Sequence, residues 1–134
     1  MYKIHKVVNI SAGHFLVNVP LAHPCRNPHG HNYRIEVEVQ SEGLDAAGMV
    51  VDFGVISQIV KRYDHAGMLN DLFPFKSGLS PTAENLASAI REALTLEIQV
   101  LTRTKAEEYK KPDRGIYVTS VKVWETDGAW VEVY

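Results

Sequence analysis

The amino-acid sequence predicts an α+β fold in which an antiparallel sheet in the order ββααββ carries two helices on one face. Three observations predict it. Apolar and polar residues alternate over 31–40, two central segments repeat apolar residues at helical spacing, and an Asp-Gly pair separates two β-rich segments near the C-terminal end. The 134 residues, 46% hydrophobic and 22% charged, suit one domain over 1–134 with a core that needs no disulfide.

The first strand is read over Lys3–Ile10, where Ile4, Val8 and Ile10 share one parity. Leu16–Pro28 reads as loop, because Pro20, Pro24 and Pro28 each remove a backbone donor and bias the preceding residue away from helix. From His31 a half-buried strand sets Tyr33, Ile35, Val37 and Val39 against Asn32, Arg34, Glu36, Glu38 and Gln40. Glu42-Gly43 and Ala47-Gly48 bracket a turn region, and Met49–Val51 is a short extended piece leading to Asp52.

Phe53, Ile56, Ile59, Val60 and Tyr63 predict a first helix over 53–63, with Asp52 as its cap and Asp64-His65 at its end. Met68–Leu79 reads as loop. Ser80 as cap and Pro81 in the first helical position start a second helix, with Leu86, Ile90 and Leu94 on one face, ending near Leu96. Thr102–Arg114, with five basic and three acidic residues, reads as an exposed connection. Tyr117–Glu125 and Trp130–Tyr134 form a hairpin around Asp127-Gly128, a favoured type I′ turn pair.

Several function classes are excluded. A formal charge of −2 gives no broad positive field for nucleic-acid backbones, and no run approaches the roughly 20 apolar residues of a membrane span. A lone cysteine, Cys25, with no leader pattern before it, points to the reducing cytoplasm. What stands out is histidine.

Residues two apart on a strand face the same side, so His29 and His31 can offer two imidazoles to one metal ion. An isolated HxH is also common on sheet surfaces. His14 supplies a third imidazole if the first two strands pair, and three imidazoles leave the fourth tetrahedral position of zinc open, as in catalytic sites. Cys25 has three readings: a small buried hydrophobe, a fourth metal ligand closing a structural site, or a thiolate that abstracts a proton. Asp64-His65 has the ingredients of an acid/base pair, but adjacent residues on a helix do not face each other, and the dipeptide also suits a plain helix terminus. Glu125 shares strand parity with Tyr117, Thr119, Val121 and Val123. A carboxylate on an apolar face needs donors, and a planar heterocycle with an amino group beside a ring N–H would satisfy both oxygens.

Taken in order, Ser11-Ala12-Gly13-His14, Cys25-xxx-His29-Gly-His31-Asn-Tyr33, Val51-Asp52-Phe53, Tyr63-Asp64-His65-Ala66-Gly67-Met68-Leu69-Asn70, Ser80-Pro81-Thr82-Ala83-Glu84-Asn85 and Glu125-Thr126 resemble the 6-pyruvoyl-tetrahydropterin synthase family over nearly the whole chain. The resemblance implies the tunnelling fold, whose subunits join sheets into a barrel as trimers, two of which stack into a homohexamer with active sites between subunits. It implies a lyase with zinc on His14, His29 and His31, with Cys25 catalytic and Asp64 and His65 completing a proton relay. Glu125 would anchor the pterin ring, and Thr82 would lie in the segment lining its pocket.

The three-residue spacing from Cys25 to His29 looks like the bacterial 6-carboxytetrahydropterin synthases, which make a precursor of queuosine. That branch cleaves 7,8-dihydroneopterin triphosphate with loss of acetaldehyde and triphosphate. The pyruvoyl branch, which eliminates only triphosphate, is one alternative; a non-catalytic zinc-binding oligomer closed by Cys25 is another. This sequence departs from the family around His14, where Gly13 replaces an alanine and Phe15 a common basic residue, and at Tyr63, where leucine is typical.

Overall fold

Alternation dictates the sheet. In a computed structural model describing residues 1–109 and 114–134, β1 (Tyr2–His14) and β2 (His29–Ser41) pair antiparallel along their whole length. Val8, Ile10, Ala12, Tyr33, Ile35, Val37 and Val39 all turn to one buried face. β3 (Tyr117–Thr126) pairs with β2, and β4 (Ala129–Val133) with β3, giving the antiparallel order β1-β2-β3-β4. β1 extends four residues past the predicted Ile10, and β2 starts at His29 rather than His31. Both histidines that bracket the intervening loop are therefore strand residues. Met49–Val51 joins no strand; Val50 is nonetheless buried in the core.

Two α-helices cover the buried face of the sheet. α1 (Phe53–Val60) buries Ile56, Ile59 and Val60 and continues as a 3-10 turn over Lys61–Tyr63. Its cap is the predicted one, since Asp52 Oδ1 accepts the Gly54 N–H at 2.7 Å. α2 (Ala83–Tyr109) packs Leu86, Ile90, Leu94 and Ile98 against β3 and β4.

Three local expectations are corrected. The cap of α2 is Thr82 rather than Ser80: Thr82 Oγ1 accepts the Asn85 N–H at 3.2 Å and its carbonyl accepts from Leu86 at 2.9 Å. The helix also runs well beyond Leu96, so residues 102–109 are helical rather than a connection. Their composition of Arg, Lys, Ala and Glu favours helix by propensity without an apolar stripe, which is why periodicity passed them over. The rest of that expected connection, residues 110–113, lies outside the described residues.

The third correction is on β3. Ser120 pairs with Glu38 and Val118 with Val39, so Thr119 is an extra residue in a bulge. The bulge switches parity. Tyr117 and Thr119 face away from Val121 and Val123, and Thr119 Oγ1 donates to Glu38 Oε1 on the outer face at 2.6 Å. Among the described residues, no helix is long and apolar enough to cross a membrane.

Candidate functional site

Strand pairing places the histidines. In the β1–β2 register His14 lies directly opposite His29, and Ala12 opposite His31, so the three imidazoles gather at one end of the inner face. One ligating atom from each lies within 4.8 Å of the others. His14 is almost fully buried, at 2% exposure.

The second partners of these rings decide their chemistry. His14 Nδ1 donates to the Pro81 carbonyl at 2.7 Å, and His29 Nδ1 to the Asn27 carbonyl at 2.8 Å. In the neutral rings this leaves each Nε2 bare, with its lone pair free for a metal. The two Nε2 atoms sit 3.0 Å apart, a repulsive contact unless a proton or a metal cation lies between them. His31 Nε2 is buried without a hydrogen-bond partner. Burial holds the His14 imidazole below its ordinary pKa, with the Pro81 carbonyl opposing and the two neighbouring histidines reinforcing, so the neutral, ligating form is favoured. Three imidazoles converging in this way fit Zn²⁺ with one position left open. Cys25 Sγ is not among the converging atoms.

A cavity of about 370 Å³ adjoins His14, and Cys25, Thr82, Glu125, Leu16 and Trp130 help to line it. Its size is that of a small-molecule site. Glu125 sits at a second irregularity of β3, between Trp124 and Thr126, where it has no partner on β4, and its side chain reaches the inner face beside His31. Its Oε1 is 3.7 Å from His31 Nε2, beyond hydrogen-bond distance, and neither oxygen has a hydrogen-bond donor among the described residues. The carboxylate is thus open to a ligand. Its negative charge adds to burial in raising the pKa of Tyr33, whose hydroxyl stands 3.3 Å from His14 Nδ1.

On the other side of the histidines a hollow of about 440 Å³ is lined by Ser11, Gly13, Gly30, His31, Asn32 and His65. The structure resolves how Asp64 and His65 meet. They are not on a helix: Asp64 is extended (φ −79°, ψ 128°) and His65 left-handed (φ 52°), which lets the adjacent side chains turn together, Asp64 Oδ1 to His65 Nδ1 at 2.7 Å. The same Oδ1 accepts the Ser11 N–H at 2.8 Å, which holds the carboxyl below the usual range.

Segment 64–70 lies along the edge of β1. The Ser11 carbonyl accepts from His65 N–H, Gly13 N–H donates to the Gly67 carbonyl, and Phe15 exchanges two bonds with the Asn70 amide. A Cβ at Gly13 would sit 2.8 Å from Met68 Sδ, so a side chain here would have to displace that flexible thioether. Of the sequence candidates, His14, Cys25, Thr82 and Glu125 share one cavity, and His31 and His65 share the other. The spacing missed Tyr33, although it lies two residues beyond His31 on the same parity. It also missed the Pro81 and Asn27 carbonyls, which no sequence pattern marks.

Comparison with known proteins agrees with this geometry. Residues 3–134 match the family model described as 6-pyruvoyl tetrahydropterin synthase. The chain is 32% identical to the 6-carboxy-5,6,7,8-tetrahydropterin synthase of Bacillus subtilis over 85% of its length and 88% of that protein's. It is 25% identical to the protein of the same name from Rickettsia typhi over 99% and 100%. The structure of Caenorhabditis elegans 6-pyruvoyl tetrahydropterin synthase superposes with a TM-score of 0.70 at 22% identity, covering 98% of this chain and 94% of that one.

Proposed function

Because the chain belongs to the 6-pyruvoyl tetrahydropterin synthase family, we propose that it is a zinc-dependent 6-carboxy-5,6,7,8-tetrahydropterin synthase. It would convert 7,8-dihydroneopterin triphosphate to 6-carboxytetrahydropterin with release of acetaldehyde and triphosphate. The observation that carries the reading is the convergence of three imidazole nitrogens beside a cavity that His14 lines together with Cys25, Thr82 and Glu125. The curated relatives named for the carboxy product favour that branch over the pyruvoyl one.

His14, His29 and His31 would hold the zinc ion, which when bound supplies Lewis acidity that makes protons beside the substrate's side-chain oxygens easier to remove. Glu125 would accept two N–H bonds from the edge of the pterin ring and fix its orientation. Thr82 lines the same cavity, with its hydroxyl committed to capping α2. Cys25 would take a proton on one face of the substrate. His65, steered by Asp64, would exchange one on the opposite face. Fixing the substrate between such groups lowers the barrier by avoiding the entropy of bringing them together. The protein would act as a homohexamer, a dimer of trimers.

Zinc-loaded protein incubated with 7,8-dihydroneopterin triphosphate should yield a 6-carboxy pterin by mass spectrometry, together with acetaldehyde. A 6-pyruvoyl product would move it to the other branch. Cys25→Ala should keep its zinc while losing turnover about 100-fold or more. Loss of zinc from that variant would make the cysteine a ligand and the site structural.

A further inference from the structure

The turn that carries Cys25 is held by a side chain that the chemistry above does not use. Pro24 opens the 3-10 turn Pro24–Arg26 and has no N–H to offer. The Arg26 N–H goes to the His23 carbonyl and that of Asn27 to the Pro24 carbonyl, both at 3.1 Å. The Cys25 amide is the remaining donor, and it bonds His23 Nδ1 at 3.1 Å. On the other side the Cys25 carbonyl accepts the Leu16 N–H at 2.8 Å, two residues beyond His14. Both polar backbone atoms of Cys25 are thereby fixed.

His23 is itself tied down, its N–H donating to the Pro20 carbonyl at 2.9 Å, and Arg26 Nη1 reaches the Val19 carbonyl at 3.0 Å. The surrounding loop has three prolines and therefore few amides with which to hold itself. A side-chain acceptor at this position accordingly carries much of the turn's order. Neutral imidazole can accept at Nδ1 only with its proton on Nε2. An asparagine oxygen could serve in the same place, as capping residues do, whereas alanine could not.

Resting on the functional reading above, we propose that His23 is a positioning residue for the Cys25 thiol: by accepting the Cys25 amide it locks the turn that presents this side chain to the cavity shared with His14 and Glu125. The imidazole makes no contact with substrate in this role. It acts through the backbone of the residue two positions on.

The test compares wild type, His23→Ala and His23→Asn for zinc content, for kcat and KM, and for the rate of alkylation by iodoacetamide at fixed pH. Cys25 is the only cysteine, so alkylation reports on it alone. His23→Ala should lower kcat by about 10- to 100-fold, leave KM and zinc close to wild type, and shift the alkylation rate severalfold. His23→Asn should restore most of both. Wild-type kcat and alkylation in His23→Ala would overturn the proposal, and so would an Asn variant as impaired as the Ala one. If the wild type converts no substrate, the functional reading fails separately, and the alkylation comparison alone decides whether the clamp exists.

Discussion

The two sides of the histidine cluster are built differently. His14 and His29 sit on paired strands with Nδ1 fixed by a backbone carbonyl, and His14 is almost fully buried. His65 sits on left-handed backbone outside any regular element, with its side chain 78% exposed and Asp64 as its partner. A site that must hold an ion at fixed geometry is best placed on a sheet, where the ladder determines each ring's neighbours. A group that must pick up and release a proton needs contact with solvent and room to turn. Under the proposed function, holding an ion and moving a proton would thus fall to different kinds of backbone.

Removing a holding residue should give the largest effect. His31→Ala takes away one of three converging donors and should weaken zinc binding by well over 100-fold, since losing even an outer partner of a ligand costs 10- to 100-fold. Metal content after dialysis against a chelator checks this. A fully loaded variant would remove His31 from the ligand set and break the comparison at its root.

Changing the moving side should leave the metal alone. Asp64→Asn should keep zinc and lose about 100-fold in kcat, because the amide oxygen still accepts from Ser11 but no longer presents a negative charge to the imidazole. It also has a pH signature. The Asp64 carboxyl lies below its unfolded value, so the unfolded chain binds the proton more readily. The stabilisation is complete above the ordinary carboxylate range and is lost as pH falls through the lowered value. Melting temperatures of wild type and Asp64→Asn should therefore converge below about pH 4, with the wild type losing more on acidification. Parallel curves would show that Asp64 gains nothing from its partners.

The smallest effect is expected at the junction between the two regions and the helix. Thr82→Ala removes the α2 cap and should cost about 1 kcal/mol, or roughly 3 °C in Tm, measured by thermal melts. Because Pro81 precedes the cap and its carbonyl receives His14 Nδ1, zinc affinity should fall slightly too. Unchanged affinity would mean that His14 is oriented by the strand alone.

The convergence of the histidines is more legible in the sequence than the contact between Asp64 and His65. Period-two alternation sets side-chain direction without knowledge of distant residues, so the shared face of His29 and His31 follows once the chain is extended there, whereas the strand start at His29 and the pairing that brings in His14 depend on partners the pattern does not name. Asp64 and His65 could be picked out as residues but not as a pair, since their contact depends on the left-handed turn at His65 that no periodicity announces. Glu125 reaches the expected face for a reason that parity does not supply, since β3 is irregular both at Thr119 and at Glu125 itself and a bulge leaves no mark in an alternating pattern. The extension of α2 to Tyr109 was lost for the opposite reason, as charged helix formers carry propensity without an apolar stripe.

The pairing of His14 with His29 has a consequence in chain entropy. These residues are the last of β1 and the first of β2, so an ion held by both closes the loop 15–28 as a cross-link would, and part of its binding free energy becomes folding free energy. Cys25 lies inside that loop. Loading a metal there would therefore also narrow the range of conformations open to the thiol, and stripping it should make 15–28 the first segment a protease cuts.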